Sequence, residues 1–271
     1  MRRRGKRKSS ASRRRVALYL VLILAACGFL RLPPSWYSKL EQYRSAGAVR
    51  VLFIGNSFTF GNDLPWLVEQ LSAGAVSAQE CAEPGYSLEQ HWNEQRARRL
   101  IAEGRWRWVV LQDQSRMPLD RPQTNIEFAG RFAAEIRRND AFAALFMTWI
   151  DRDRPDEYQA LDFQYLQLGN SVPAVIVPVG RIFRRIMQEH PELDLYAPDG
   201  HHASLLGSYA AAMAFVGVFT GTVPEITSTD IALPPRDIRH LVAPETVKVA
   251  DRAALEYIRQ AVAAENPRIL P

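Results

Sequence analysis

Apolar runs typical of buried strands alternate with helical patterns along the chain after residue 48. The first run, 49–54, has five apolar residues of six, and four of them are β-branched or aromatic. This composition is typical of a strand covered on both faces. Further strands are predicted at four segments with the same character: 76–82, 106–111, 143–150 and 173–179. Such alternation predicts a mostly parallel sheet with helices on both of its faces.

Apolar spacing also predicts seven helices, at 64–73, 88–103, 124–138, 156–168, 181–190, 204–219 and 244–265. Thr124 is expected to cap the third of them, with Glu127 three residues later in a capping-box arrangement. The predicted fold class is therefore α/β, a three-layer α/β/α sandwich around a central, mostly parallel five-stranded sheet. The segment 220–235 is expected to be irregular.

The first strand ends abruptly at Gly55-Asn56-Ser57, and a helical pattern opens a few residues later. A strand, a tight turn and a helix in this order present a small polar side chain at the carboxyl edge of a sheet, where open α/β folds build their sites. Ser57 is therefore a candidate nucleophile. The alternative is that Asn56 and Ser57 only satisfy hydrogen bonds of the turn.

A serine hydroxyl becomes a nucleophile when a base takes its proton and a third group orients that base. Asp199 and His202 are the best candidates for these roles, because they lie three residues apart in a loop that enters a helix. The alternatives are a surface turn with a helix cap, or a metal site that includes His201. Adjacent histidines point in different directions and no other metal-binding spacing supports them, so no metal is predicted. The remaining histidines, His91, His190 and His240, are expected to be solvated.

Three motifs in this order resemble the conserved blocks of the SGNH (GDSL-type) hydrolases. They are the strand followed by Gly55-Asn56-Ser57, the single Gly85 after the second strand, and Asp199-x-x-His202 near the end of the body. The resemblance covers about residues 48–222. It implies a flavodoxin-like sheet, Ser57 as nucleophile, His202 as general base and Asp199 as its orienting carboxylate. No cofactor is implied.

Two positions depart from this family pattern. Asn56 stands where the namesake motif has aspartate, and both residues bond to local backbone in turns. The Gly-x-Asn-Asp of the third block is absent, and Gln112-Asp113-Gln114-Ser115 follows the third strand instead. Because glutamine offers the same amide donor as asparagine on a longer stem, Gln114 is the first choice for the oxyanion donor and Gln112 the reserve. A subgroup of the family with glutamine at this position resembles the chain more closely than its lipase-like members do.

The resemblance then implies an oxyanion hole formed by the backbone N–H groups of Ser57 and Gly85 and by the Gln114 amide. Two other features near these motifs have open interpretations. Trp149, at the end of the fourth strand, either lines the cleft or packs in the core. Asn62 and Asp63 follow the nucleophile and are expected to cap the next helix.

The N-terminus has the pattern of an export signal. Residues 1–15 contain nine arginines or lysines and no acid, and an uncharged run of fifteen residues, 16–30, follows. Three outcomes are open: a lipoprotein, because Leu24-Ala25-Ala26-Cys27 resembles the bacterial lipobox; a twin-arginine signal, which Ser12-Arg13-Arg14-Arg15 loosely resembles; or an uncleaved signal anchor. All three place the body outside the cytoplasm, attached to or released from a membrane.

The charge of the chain bears on its partners, and its cysteine content bears on disulfide formation. Removing the nine basic residues of the N-terminus from the formal charge of +5 leaves −4 for the rest of the chain, so no nucleic-acid partner is expected. Cys27 and Cys81 are the two cysteines. If Cys27 is lipidated or removed, Cys81 has no partner for a disulfide.

These patterns predict a basic N-terminus with a signal or membrane anchor (1–32), a linker (33–47) and a hydrolase-like domain (48–271). The expected function is that of an exported, membrane-tethered serine esterase that cleaves a small acyl group such as acetyl. The resemblance and the location suggest an acylated carbohydrate of the envelope or the extracellular space as substrate. The alternatives are O-acyl transfer to a polysaccharide with the same triad, and a tethered binding module on a degenerate hydrolase fold.

Overall fold

The computed structural model describes residues 47–232 and 246–266, and a five-stranded sheet forms the centre of this part of the chain. The strands follow the order β2-β1-β3-β4-β5, and every neighbouring pair is parallel. They are β1 (Val49–Gly55), β2 (Val76–Ala82), β3 (Trp108–Leu111), β4 (Phe142–Phe146) and β5 (Val175–Val177). This order is that of flavodoxin-like sheets, which confirms the predicted α/β class and sheet.

Helices connect the strands and continue beyond the last one. In chain order they are α1 (Ser57–Phe60), α2 (Leu64–Leu71), α3 (Leu88–Glu94), α4 (Arg96–Glu103), α5 (Met117–Asp120), α6 (Pro122–Arg138), α7 (Tyr158–Ser171), α8 (Val179–Glu189), α9 (Leu205–Thr220) and α10 (Arg252–Glu265). Short 3₁₀ turns cover Gly61–Asp63 and Pro155–Glu157, and β6 (Asp230–Ala232) pairs antiparallel with β7 (Thr246–Lys248).

The sheet separates two apolar cores. Side chains of β1 alternate between them: Val51 and Phe53 belong to one core, Leu52 and Ile54 to the other, and all four are fully buried. Helices α2, α8, α9 and α10 contribute to the first core, and α3, α4, α6 and α7 to the second. A strand covered on both faces explains the uninterrupted apolar run, and the predicted three-layer arrangement is confirmed.

Several element boundaries differ from the prediction. The capping box at Thr124 is wrong, because α6 already begins at Pro122, a residue that favours the first helical turn, and no side chain caps it. The helix predicted at 88–103 is divided at Gln95, which has a φ of 65°. The helix predicted from residue 244 begins at Arg252, because 246–248 pairs as a strand with residues in the segment expected to be irregular.

The fourth strand ends earlier than predicted, and this changes the edge of the sheet. β4 stops at Phe146, so residues 147–154 form an irregular segment at its carboxyl end instead of continuing to Ile150 as strand. Trp149 and Asp151 therefore lie on a loop beside the turn that carries Ser57. This loop supplies two side chains to the neighbourhood of the candidate site, as described below.

The predicted N-terminal signal or anchor (1–32), including Cys27, lies outside the described residues, as does His240. Within 47–232 and 246–266, no helix combines the length and the apolar character that a membrane span requires. Cys81 is buried at the end of β2 and forms no disulfide with any described residue.

Candidate active site

Ser57, His202 and Asp199 form a continuous hydrogen-bonded chain at the carboxyl edge of the sheet. The Oγ of Ser57 lies 3.0 Å from Nε2 of His202, and Nδ1 of His202 lies 2.6 Å from Oδ2 of Asp199. A carboxylate only accepts hydrogen bonds, so Nδ1 carries the proton and Nε2 of the neutral ring accepts from the serine hydroxyl. This is the arrangement in which a histidine can remove the serine proton.

Local backbone contacts fix the loop that holds Asp199 and His202. Oδ1 of Asp199 accepts the backbone N–H groups of His201 and His202, each at 3.0 Å. Gly200 takes a left-handed conformation (φ 68°) that makes this tight turn possible. The hydrogen bond from His202, followed by those from the backbone, lowers the pKa of Asp199 below its ordinary value of 3.8. Asp199 is therefore ionised at neutral pH and can stabilise a protonated His202 ring.

The turn before Ser57 is fixed by Asn56 and by Gln112 from the neighbouring strand. The side chain of Asn56 accepts the N–H of Phe58 at 3.1 Å and caps α1. The Oε1 of Gln112 accepts the Asn56 N–H at 2.8 Å and the Thr59 hydroxyl at 2.9 Å. A Cβ atom on Gly55 would overlap Thr59 and Gln112, so glycine is required at the end of β1. The glycine of the motif thus serves close packing.

The loop after β2 brings Gly85 to the same edge. Asn56 reaches this loop, because its Nδ2 donates to the carbonyl of Tyr86 at 2.9 Å. Gly85 has a φ of 70°, and nothing lies within 4 Å of the position that a Cβ would occupy there. Among the described residues, the N–H of Gly85 has no acceptor. It is thus available to a ligand, as an oxyanion donor must be.

The two glutamines after β3 differ in their surroundings. Gln112 is fully buried, its oxygen supports the Ser57 turn, and its Nε2 donates to the carbonyl of Asp113. Gln114 is partly exposed; its Oε1 accepts the N–H of Arg116 at 2.9 Å, and its Nε2 lies 3.3 Å from the Ser115 hydroxyl. The reserve assignment of Gln112 as oxyanion donor therefore loses support, since its side chain is fully buried whereas that of Gln114 is partly exposed.

Asp113 organises the region beneath the site, and its part was not predicted from the sequence. Oδ1 of this buried carboxylate accepts the N–H groups of Leu88 at 2.9 Å and Gln114 at 2.8 Å, and Oδ2 accepts the amide of Asn125 at 2.8 Å. Burial raises the pKa of Asp113. Its position in the polar cluster after a strand could have indicated a role in the site. That role could not be predicted, because Leu88 and Asn125, two of its partners, lie on other elements.

His91 belongs to the same buried region, so the expectation that it is solvated is wrong. The ring is only 2% exposed, and its Nε2 lies 2.7 Å from the carbonyl of Gly55. Burial lowers the pKa of His91 below 6.5. A neutral ring then donates to the last carbonyl of β1, immediately before the Ser57 turn. His190, in contrast, is partly exposed and contacts Glu192.

Asn62 ties the nucleophile segment to the histidine loop. It has a left-handed conformation (φ 50°) and caps no helix with its side chain; instead Nδ2 donates to the carbonyl of Ala203 and to the Ser208 hydroxyl, both at 3.0 Å. The expected capping role is therefore wrong for Asn62. Asp63 precedes α2 without a side-chain cap. No local pattern points to a contact between residues so far apart in the chain.

Trp149 packs in the core, and it also supports the histidine loop. Its ring is 2% exposed and lies between Phe58, at a centroid distance of 4.5 Å, and Phe183, at 4.3 Å. The indole N–H donates to the carbonyl of His201 at 2.8 Å. Of the two interpretations of Trp149, core packing is the correct one.

The candidate site contains no cluster typical of a metal centre. Across the described ranges 47–232 and 246–266, no group of three or more His, Cys, Asp and Glu side chains could hold a metal ion. His201 and His202 point to different partners, Asp151 and Asp199 respectively. The site as described is thus a serine, a histidine and a carboxylate beside available N–H donors.

The fold places the chain in a structural class. No protein-family model and no curated protein matches it. Among solved structures, a protein from Slackia heliotrinireducens described as a candidate SGNH hydrolase matches with a TM-score of 0.55 and 23% identity, over 62% of this chain and 97% of that one. The chain therefore has the SGNH hydrolase fold, and the resemblance expected from the three motifs is confirmed at the level of fold.

Two further structures show the same likeness. A DUF4886 family protein from Bacteroides uniformis has a TM-score of 0.56 at 17% identity and covers 80% of this chain and 94% of its own. A lipase/acylhydrolase from Enterococcus faecalis has a TM-score of 0.52 at 18% identity, over 65% and 98% of the two chains. The chain thus shares its fold with a protein described as a lipase/acylhydrolase.

Proposed function

We propose that the protein is a serine esterase that hydrolyses a small acyl ester such as an acetate. The single observation that carries this proposal is the hydrogen-bonded chain from Ser57 through His202 to Asp199. Its support is chemical: each of the three side chains has the partner that its role requires, and the fold is shared with a protein described as a lipase/acylhydrolase.

In the proposed mechanism, His202 removes the Ser57 proton as the hydroxyl oxygen attacks the ester carbonyl. The backbone N–H groups of Ser57 and Gly85 and the amide of Gln114 stabilise the oxyanion, each donor contributing roughly 3 kcal/mol. His202 then gives its proton to the departing alcohol, which leaves an acyl group on Ser57. A water molecule, deprotonated by His202, then attacks this acyl-enzyme, and His202 returns the proton to the Ser57 oxygen as the acid leaves. Asp199 stabilises the charged ring in both halves.

The exposure of the site favours hydrolysis over transfer to a polysaccharide. The side chains of His202 and Asp199 are 41% and 50% exposed, so water reaches the base directly. A transferase must keep water from its acyl-enzyme, for which closure of the site is the usual device. An acylated carbohydrate remains the proposed substrate class.

Acid release from a panel of acetyl, butyryl and longer esters tests the proposal. Wild-type protein should release acetate fastest, and Ser57→Ala should lower turnover to the background. Ser171→Ala is a matched control, because it removes a hydroxyl from the exposed end of α7, and it should retain turnover within about twofold. Equal turnover in wild type and Ser57→Ala would exclude Ser57 as nucleophile, and no release from any ester would favour a binding module.

The proposal extends to location. Residues 1–32 would export the body and attach it to a membrane on the non-cytoplasmic side, through a lipid on Cys27 or through an uncleaved anchor. Cys27→Ser separates these cases in fractionated cells: loss of acyl labelling together with release from the membrane indicates a lipoprotein, and retention in the membrane indicates an anchor. Recovery of the full-length chain in the cytoplasm would contradict both.

A further inference from the structure

A second histidine–aspartate pair lies beside the candidate triad. Nδ1 of His201 is 2.6 Å from Oδ1 of Asp151, a residue of the loop after β4. Asp151 is partly buried, with 26% of its side chain exposed, while His201 is 36% exposed. The proposed mechanism uses neither residue, although the pair repeats the geometry by which Asp199 holds His202.

The ring of His201 contacts residues of the candidate active site. Its centroid lies 4.8 Å from that of Phe58, the residue after the nucleophile, and 4.8 Å from that of His202 in an edge-to-face arrangement. Because His202 gives its proton to the departing alcohol, the alcohol portion of an ester occupies the space next to its ring. The ring of His201 packs against that of His202 and therefore lies next to that space.

The Asp151 contact determines what His201 can bind. Since the carboxylate accepts only, Nδ1 of the neutral ring carries the proton and Nε2 presents a lone pair. No residue within 47–232 or 246–266 is hydrogen-bonded to this Nε2, and it is not among the buried polar atoms that lack a partner. An acceptor fixed in orientation at an open edge is suited to a ligand hydroxyl.

We propose that His201 binds a hydroxyl of the alcohol portion of the substrate, with Asp151 as its positioning residue. The preferred substrates are then acyl esters of sugars or other polyols that carry a free hydroxyl near the ester. This inference rests on the proposed esterase function and narrows its substrate class. The hydroxyl donates to Nε2 of His201 while the neighbouring ester oxygen faces His202.

Two acetate esters test the inference: a monoacetylated monosaccharide, which has neighbouring hydroxyls, and ethyl acetate, which has none. The measured quantity is the ratio of their kcat/KM values. His201→Phe keeps a ring against Phe58 but removes the acceptor, and it should lower the ratio about tenfold, as expected for one hydrogen bond. His201→Gln, whose amide oxygen also accepts, should recover part of the ratio.

Asp151 provides an independent arm. Asp151→Asn retains an oxygen that accepts from Nδ1 and should keep most of the ratio, whereas Asp151→Ala frees the ring and should lower it. A merely structural role would reduce kcat/KM on both esters equally and leave the ratio unchanged. An unchanged ratio in His201→Phe and Asp151→Ala, or a dependence on acyl length instead of on hydroxyls, overturns the inference.

Labelling of Ser57 by a fluorophosphonate separates this inference from the proposed function. If the wild-type protein does not react with the probe, the esterase proposal fails and the inference fails with it. If it reacts and the ratio does not change, only the role of His201 is refuted. Thermal unfolding identifies a variant that does not fold, and the ratio is then measured with His201→Leu, which also lacks the acceptor, and with Asp151→Ala, where an unchanged value is equally decisive.

Discussion

The two glutamines at the end of β3 have different proposed roles: Gln114 stabilises the oxyanion, and Gln112 supports the turn that carries Ser57. Gln114→Ala removes the proposed oxyanion donor. Because such a donor acts only on developing charge, kcat and kcat/KM should fall together by about a hundredfold or more, with little change in ground-state binding. Gln114→Glu should be at least as harmful, because a carboxylate repels the oxyanion. Steady-state kinetics on an acetate ester measures both.

Gln112→Ala is the contrasting variant. It leaves the N–H of Asn56 and the hydroxyl of Thr59 without their buried acceptor, so it should reduce the free energy of unfolding by about 1–3 kcal/mol. If Gln112→Ala loses turnover while remaining stable and Gln114→Ala is normal, the oxyanion donor is misassigned by two positions. If neither slows turnover, the hole consists of backbone groups alone.

Asp113 and Asn125 allow a prediction by exchange. In Asn125→Asp two carboxylates oppose each other, which should cost about 1–3 kcal/mol. In Asp113→Asn the Asn125 amide can turn its oxygen toward the new NH₂ group, so this variant should cost less. The double variant restores one donor facing one acceptor and keeps Oδ1 for the two backbone N–H groups, so its stability should return close to wild type. Urea unfolding measures all four proteins. Costs that simply add in the double variant would contradict this account of the buried pair.

For single residues, the sequence predicts a contact when the two partners are close together in the chain. Asp199 and His202 are three residues apart, so one loop brings them together and their pairing could be predicted. The contact of Asn62 with Ala203 joins residues 141 positions apart, and nothing in the sequence near either one indicates it. The buried state of His91 was missed for the same reason, since its partner lies on another element.

Among the elements, the loop after β4 positions the histidine loop through Trp149. Trp149→Phe keeps a ring between Phe58 and Phe183 but removes the hydrogen bond to the His201 carbonyl. We expect kcat to fall about tenfold, because small displacements of catalytic groups are costly, with KM little changed.

Trp108→Phe is the matched control, since Trp108 is also buried in the sheet, at the beginning of β3, and has no side-chain hydrogen bond with the described residues. It should lose packing energy without a selective loss of kcat. Equal kcat values for the two variants would show that the indole hydrogen bond does not position the loop.

Sequence patterns located the elements better than their ends. The strand at 76–82 agrees with the prediction, and the helix predicted at 204–219 is found at Leu205–Thr220, because both depend on local composition. The ends of β4 and β5 do not, because a strand ends where its neighbours stop offering ladder partners, and β4 pairs with β5 only over Ala144–Phe146. Because β4 ends at Phe146, Trp149 and Asp151 lie on a loop that no sequence pattern indicated.

For the whole molecule, His91 couples stability to pH. Burial lowers its pKa, so the unfolded chain takes up a proton as the pH falls through the ordinary value of 6.5 while the folded protein does not. Stability is therefore lost below about pH 6.5, by up to about 1.4 kcal/mol per pH unit. Urea unfolding between pH 7.5 and 5.5 should show this loss of stability in wild type and a smaller loss in His91→Gln. Asp113 is unchanged in that variant, so the difference between the two proteins is due to His91. Identical slopes would contradict the assignment.

The overall fold followed from the alternation of apolar strands and helices, because covering both faces of a parallel sheet leaves few arrangements. The same sheet brings the ends of β1, β2 and β3 to one edge, which is why three weak motifs could predict one site. The substrate could not be predicted in this way, since under the proposal it depends on the pair of His201 and Asp151, which is a contact between residues far apart in the chain.

The central claim is that Ser57 is an activated nucleophile, and covalent labelling tests it most directly. Wild-type protein treated with a fluorophosphonate should gain one adduct by intact mass, on the peptide that contains Ser57. The adduct should be absent in Ser57→Ala and form much more slowly in His202→Ala, because an unassisted serine hydroxyl is a poor nucleophile. Absence of labelling in wild type, or an equal rate of labelling in His202→Ala, would contradict the account.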